Sequence, residues 1–254
     1  MPTRFPARAR AVALSAALAL VPLLPAHATR AQPPADAAPP AVRVSAGDVR
    51  ASNEKVYLAY DALVQMWSGT FRQLGARFAT PGIVRYRGAV RNACGVLGGG
   101  NAGYCAADNR IYFDELFVAA QARRAAEELG TDGDMAAIGV IAHEMGHAVA
   151  IQLGRFSRET YANEATADCL AGAFAHQAER DGSLEAGDLD EAFFAMATAA
   201  DPTPELTGDP RTDRRRLFIA ARSAHGTREQ RMGNFRTGYD GGARACLADF
   251  RAFS

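Results

Sequence analysis

His143-Glu144-Met145-Gly146-His147 carries the residue types that metal-assisted hydrolysis needs. Two histidines four apart on a helix project within about 40° of each other and can grip one cation. A glutamate beside them can take a proton from a water that the cation has made acidic. The pentapeptide ends an apolar run, Met135 to Ala142, that reads as a buried helix. Gly146 is expected to leave space near the metal, where a larger residue would place a side chain. The bland alternative is an alanine-rich helix that shows His and Glu to solvent by chance. The shared face and the apolar run argue against it.

A catalytic zinc takes three protein ligands and keeps a fourth position open. The third ligand is sought on the next helix, where Glu164 and Asp168 are four apart and share a face. One carboxylate can bind zinc. The other can accept the second ring N–H of a ligating histidine and so fix its tautomer. Glu164 is read as the ligand and Asp168 as the orienting group, against the plainer reading of two solvated acids.

These two motifs resemble the thermolysin-like gluzincins, in which two His and one Glu bind zinc. A wider set of blocks is similar to the neutral zinc metallopeptidases of bacteria. The blocks are Cys94-Gly95, Gly103-Tyr104-Cys105, Asp108 to Asp114, Ile141 to His147, Ala167 to Gly172, His225-Gly226-Thr227, Glu229-Gln230-Arg231 and Gly238-Tyr239, in that order along the chain. The resemblance implies one Zn2+ per chain on His143, His147 and Glu164, Glu144 as general base, and hydrolysis of peptide bonds in a peptide or protein substrate. In some gluzincins a histidine late in the chain steadies the oxyanion. That singles out His225, with Tyr161 and Tyr239 as substitutes and a surface or capping histidine as the alternative. Two departures touch no proposed ligand: Ala148 stands where many members carry another His, and Glu164-Ala165-Thr166-Ala167-Asp168-Cys169 replaces the usual Glu-Leu-Gln-Ala-Asp-Cys. Ala199 to Asp213 fits the family pattern poorly, so no specificity residue is carried over from there.

The elements that must position these residues follow from periodicity and punctuation. Val56, Leu58, Leu63, Val64, Met66, Trp67 and Phe71 recur with roughly helical period and predict a long helix over Ala46 to Leu74, with Trp67 in the core. Ile83 to Tyr86 reads as a short strand after the Pro81-Gly82 break. Asn109 to Asp114 reads as a second strand; the resemblance to gluzincins implies a place at the edge of the cleft, where its unpaired backbone could add to an extended peptide, and an ordinary paired strand is the alternative. Helices are predicted over Glu115 to Leu129, Asp134 to Leu153, Arg158 to Glu179, Leu184 to Ala199, Arg211 to Ser223 and Thr227 to Thr237. The expected fold is α+β, a mainly helical zincin-like domain with a small sheet beside the active-site helix.

Arg4, Arg8 and Arg10 precede an apolar stretch, Ala11 to Leu24, and a small-x-small site at Ala26-His27-Ala28. Residues 1–28 therefore read as a signal peptide, 29–45 as a Pro/Ala-rich disordered linker and 46–254 as the catalytic domain. The apolar stretch falls short of the roughly 20 residues that span a bilayer, so an uncleaved membrane anchor is the alternative and no span is expected after cleavage. Cleavage removes three arginines and no acids, leaving 25 basic and 28 acidic residues and a formal charge of −3. No basic stripe interleaved with aromatics exists, so no nucleic-acid partner is expected, and Arg211 with Arg214 to Arg216 reads as a solvated helix face.

Four cysteines without a Cys-x-x-Cys spacing, in a chain read as exported, favour disulfides and a periplasmic or secreted location. Three connectivities are open. Cys94–Cys105 and Cys169–Cys246 are preferred, the first closing a Gly-rich loop and the second tying the Glu164 helix to the C-terminal segment. Two other functions use the same residues: hydrolysis of an amide in a cell-wall polymer, and a non-catalytic zinc protein of the envelope. The second has no use for Glu144.

Overall fold

The computed structural model describes residues 42–202, 204–220 and 225–248. The expected signal peptide and most of the expected linker lie outside them. The element order is α1 (Ala46–Gln73), β1 (Gly82–Tyr86), β2 (Val90–Asn92), β3 (Gly95–Leu97), β4 (Ala102–Cys105), β5 (Arg110–Asp114), α2 (Glu115–Leu129), α3 (Asp134–Gln152), α4 (Thr160–Arg180), α5 (Asp188–Thr198), α6 (Pro210–Ala220) and α7 (Arg228–Cys246). This is the mainly helical α+β arrangement expected.

Helix α1 starts where the sequence supplies both halves of a capping box. The Ser45 hydroxyl accepts from the Asp48 N–H, and the Asp48 carboxylate accepts from the Ser45 N–H. Val56, Leu63, Trp67 and Phe71 form its buried stripe and pack into a core shared with α3. Each such side chain contributes about 1.5–3 kcal/mol relative to exposure.

Helix α3 is buried on nearly every side, as a helix without a polar face must be. Its N-cap, Gly133, offers no side chain. A carboxylate from another helix does the work: Glu191 of α5 accepts from the N–H groups of Gly133 at 2.9 Å and Met135 at 2.8 Å. A negative group at the positive end of the helix dipole fixes where the helix that carries His143 and His147 begins. Nothing in the local sequence of α3 points to Glu191.

The sheet corrects one expectation. The strand read over Asn109 to Asp114 is not at the edge: β5 lies in the middle of the order β1-β5-β4, parallel to β1 and antiparallel to β4. Its side chains Ile111 and Phe113 are fully buried, which suits a central strand. The edges are β1 and β4, and β4 carries glycine and one β-favouring tyrosine and gives almost no strand signal. A separate hairpin pairs β2 with β3.

Helices α4 and α7 run in backbone contact. A Cβ on Gly172 would lie 1.9 Å from the Phe235 carbonyl oxygen, and one on Gly238 1.8 Å from that of Cys169. The helix expected over Thr227 to Thr237 is longer than that, since it continues through Gly238, Gly241 and Gly242. Gly238 grants close approach, and the helix runs on to Cys246 with a non-helical turn at Gly242. Disulfides join Cys169 to Cys246 across these helices and Cys94 to Cys105 beside the sheet.

Candidate metal centre

One face of α3 and one face of α4 bring together two histidine nitrogens and both oxygens of one carboxylate. His143 Nε2 lies 3.1 Å from Glu164 Oε2 and 3.1 Å from His147 Nε2, and His147 Nε2 lies 3.5 Å from Glu164 Oε1. Donors held 2.0–2.1 Å from a tetrahedral zinc are about 3.3–3.4 Å apart, so the triangle matches the ion in size as well as in ligand type. The protonation pattern matches too. His143 Nδ1 is 2.8 Å from Asp168 Oδ1, a carboxylate that can only accept, so Nδ1 carries hydrogen and Nε2 of the neutral ring is a lone pair aimed at the Glu164 carboxylate oxygen. That convergence is repulsive until a cation stands between them.

Without a metal, a proton serves. Burial disfavours a charged His143 ring, but the Asp168 and Glu164 carboxylates outweigh it and raise its pKa to about 10. Burial likewise pushes Glu164 up, yet hydrogen bonds from His143 and His147 hold its carboxyl well below the usual range.

Asp168 is fully buried, and its charge is answered by Arg231 of α7. Nε and Nη2 of Arg231 donate to Oδ2 at 3.0 Å and Oδ1 at 2.6 Å, while Nη1 donates to the Ala199 carbonyl at 2.7 Å. The guanidinium fork clamps the carboxylate in one plane, and the carboxylate in turn orients the His143 ring. Arg231 sits inside a sequence block noted for its resemblance, but a separation of 88 positions from His143 hides the contact.

Glu144 is held by the edge strand. Its Oε2 accepts from the backbone N–H of Tyr104 at 2.8 Å, so β4 and the carboxylate next to the metal donors are directly joined. No side-chain pattern announces a backbone donor of this kind. Gly146 does not do what was expected of it. A Cβ there would lie 2.8 Å from the Ala167 carbonyl oxygen, so the glycine makes room for the backbone of α4 and not for the metal.

His143, Glu144, His147, Glu164, Arg231 and Tyr104 line a cleft of about 650 Å³. His225 lines it as well, more than half exposed, with Nδ1 3.1 Å from Asp201 Oδ1. The two tyrosines read as its substitutes are engaged elsewhere and do not line the cleft: Tyr239 donates to Glu179 at 2.6 Å, and the Tyr161 ring packs against Gly226. Trp67 is in the core, as its position in the helical stripe requires.

A relative named "Uncharacterized protein YpfJ", from Escherichia coli strain K12, is 33% identical over 193 residues, which is 69% of this chain and 63% of the relative. The protein of the same name from Escherichia coli O6:H1 strain CFT073 matches to the same extent. The chain therefore matches less than two thirds of the length of these relatives. No solved structure matches it. The family described as "Putative neutral zinc metallopeptidase" matches residues 12–250, nearly the whole chain. With that extent of match and a donor triangle that suits zinc, the chain belongs to the neutral zinc metallopeptidase family.

Proposed function

We propose that this protein is a zinc-dependent peptidase that hydrolyses peptide bonds in the cell envelope or outside the cell. The observation that carries the reading is the tie between Glu144 and Tyr104, because it places a proton-accepting carboxylate at once beside the His143, His147 and Glu164 donors and against an open strand edge. A structural metal site needs neither.

Zinc held by His143, His147 and Glu164 would acidify a water molecule and polarise the carbonyl to be attacked. Glu144 accepts the proton of that water and returns it to the leaving nitrogen. Asp168 keeps His143 Nδ1 protonated and its Nε2 turned to the site. His225, with Nδ1 3.1 Å from Asp201 Oδ1, lines the cleft and is the proposed donor to the developing oxyanion. Along β4 the N–H groups of Ala102 and Tyr104 already have acceptors in Asn101 Oδ1 and Glu144. The carbonyls of these two residues, on the same side, are left to receive the N–H groups of an extended substrate.

Two disulfides indicate an oxidising environment, which supports export. Among the described residues no helix is long and apolar enough to cross a membrane.

The test is zinc content and cleavage of quenched casein by wild type and Glu144→Gln, with purified peptidoglycan assayed alongside. One zinc per chain in both proteins, with casein cleavage lost only in the variant, is expected. Release of peptidoglycan fragments without casein cleavage would transfer the assignment to a cell-wall amide, and a protein without bound zinc would end it.

A further inference from the structure

The wall of the cleft formed by α2 has a chemistry that the hydrolytic step does not use. Phe117, Ala120, Gln121 and Arg124 recur at three- and four-residue spacing and face the cleft, opposite Val140, one turn before His143, and Met196 of α5. The walls are apolar and one end is cationic. Arg124 Nε is buried without a hydrogen-bond partner, and Nη1 reaches only Gln121 Oε1, at 3.4 Å. Among the described residues no carboxylate pairs with Arg124. The other arginines of the cleft differ: Arg231 is clamped on Asp168, and Arg155 has interactions of its own.

A buried guanidinium nitrogen with no acceptor is costly, because it has given up water and received nothing in exchange. That nitrogen is closed to solvent and reaches a ligand only if the side chain swings into the cleft, whereas the guanidinium as a whole lines the cleft without a counter-charge among the described residues, which a ligand can supply. A carboxylate fits best, since its two oxygens match the guanidinium fork. The apolar stretch before Arg124 suits the methylenes that would carry such a carboxylate past Phe117 and Met196.

We propose that Arg124 is the specificity-determining residue of this cleft and selects peptides that place a carboxylate against α2. This rests on the peptidase reading, which it deepens by naming the substrate class. The carboxylate has two sources, a glutamate side chain or the C-terminus of the peptide. The recognition chemistry is the same for both.

The experiment measures binding, so that it does not depend on turnover. Zinc-loaded Glu144→Gln protein is titrated with labelled peptides of one frame that carry Glu, Gln, Lys or Leu at each position in turn, each with a free or an amidated C-terminus. The Glu peptide is expected to bind at least about tenfold tighter than its Gln isostere at one position, the order of a close charge pair at an interface. Adding Arg124→Gln should erase the difference, and Arg124→Glu should turn the preference towards Lys, with zinc content and thermal melting checked in each variant. A preference that needs the free C-terminus and ignores the side chain would identify the terminal carboxylate as the source. Equal binding of acid and isostere with either terminus, a preference that survives Arg124→Gln, or no peptide binding at all would overturn the proposal. If acid peptides are preferred but wild type cleaves none of them, carboxylate recognition stands and the peptidase reading falls.

Discussion

Gly146 of α3 faces Ala167 of α4 so closely that an added Cβ would lie 2.8 Å from the Ala167 carbonyl oxygen and 2.9 Å from its Cα. Ala167 lies between Glu164 and Asp168, so the contact sets the distance from the histidines to both carboxylates. Gly146→Ala should push α4 outward, weaken zinc binding by about tenfold and cost about 1–3 kcal/mol as overpacking does. Competition with a chromophoric chelator measures the first effect and urea unfolding the second. An alanine variant with wild-type affinity would mean that the helices have slack here.

Arg231→Met leaves the fully buried Asp168 carboxylate without its cation. Breaking a buried pair from one side costs about 3–5 kcal/mol, and loss of an orienting partner weakens a metal site by about 10–100-fold. Arg231→Lys should recover part of the stability but less of the zinc affinity, because an ammonium cannot clamp both oxygens of Asp168 in one plane. Nitrogen-15 shifts of His143 in the metal-free protein would show whether the ring keeps its Nδ1–H.

His225 lines the cleft outside the donor triangle. His225→Ala should therefore leave zinc content unchanged and lower kcat by about 10²–10³, the usual loss for one oxyanion donor, with little change in KM. Parallel metal analysis and steady-state kinetics decide it. Loss of zinc in this variant would place the residue in the wrong role.

Zinc must displace the proton that His143 holds up to a pKa of about 10, a value set by burial against the stronger pull of Asp168 and Glu164. Between pH 7 and 9 affinity should tighten by about tenfold per unit as that proton becomes easier to remove. The metal-free fold behaves in the opposite sense. A raised pKa stabilises fully below the ordinary value of 6.5 and ceases to do so as pH climbs through about 10. Glu164, lowered from 4.5, contributes above that value and loses its contribution as pH falls through its folded pKa. EDTA-treated protein should thus unfold more easily at pH 9 than at pH 6, and chelator competition across the same range should show the rise in affinity.

Cys169 and Cys246 are 77 residues apart, Cys94 and Cys105 only 11. On chain-entropy grounds the longer loop is worth about 4–5 kcal/mol and the shorter about 3 kcal/mol. Replacing the first pair by serine should lower stability more than replacing the second, as chemical denaturation would show.

The helices and the donor set were legible because their signals are local: an apolar stripe in α1, a pentapeptide in α3, two acids at helical spacing in α4. Three things were not. The edge strand β4 is defined by its missing neighbour and not by its composition. The glycines of α4 and α7 look like helix breakers in one dimension and serve as contact points in three. Arg231, Glu191 and the Tyr104 N–H act on groups 40 to 88 residues away, where no spacing rule reaches.

Arg231 comes from α7, after every other residue of the donor cluster in the chain. During synthesis from the N-terminus, His143, Glu144, His147, Glu164 and Asp168 all emerge while the Asp168 carboxylate still lacks its cation. A growing chain therefore presents His143, His147, Glu164 and Asp168 before the cation that answers Asp168, and the cluster is complete only once α7 has been made.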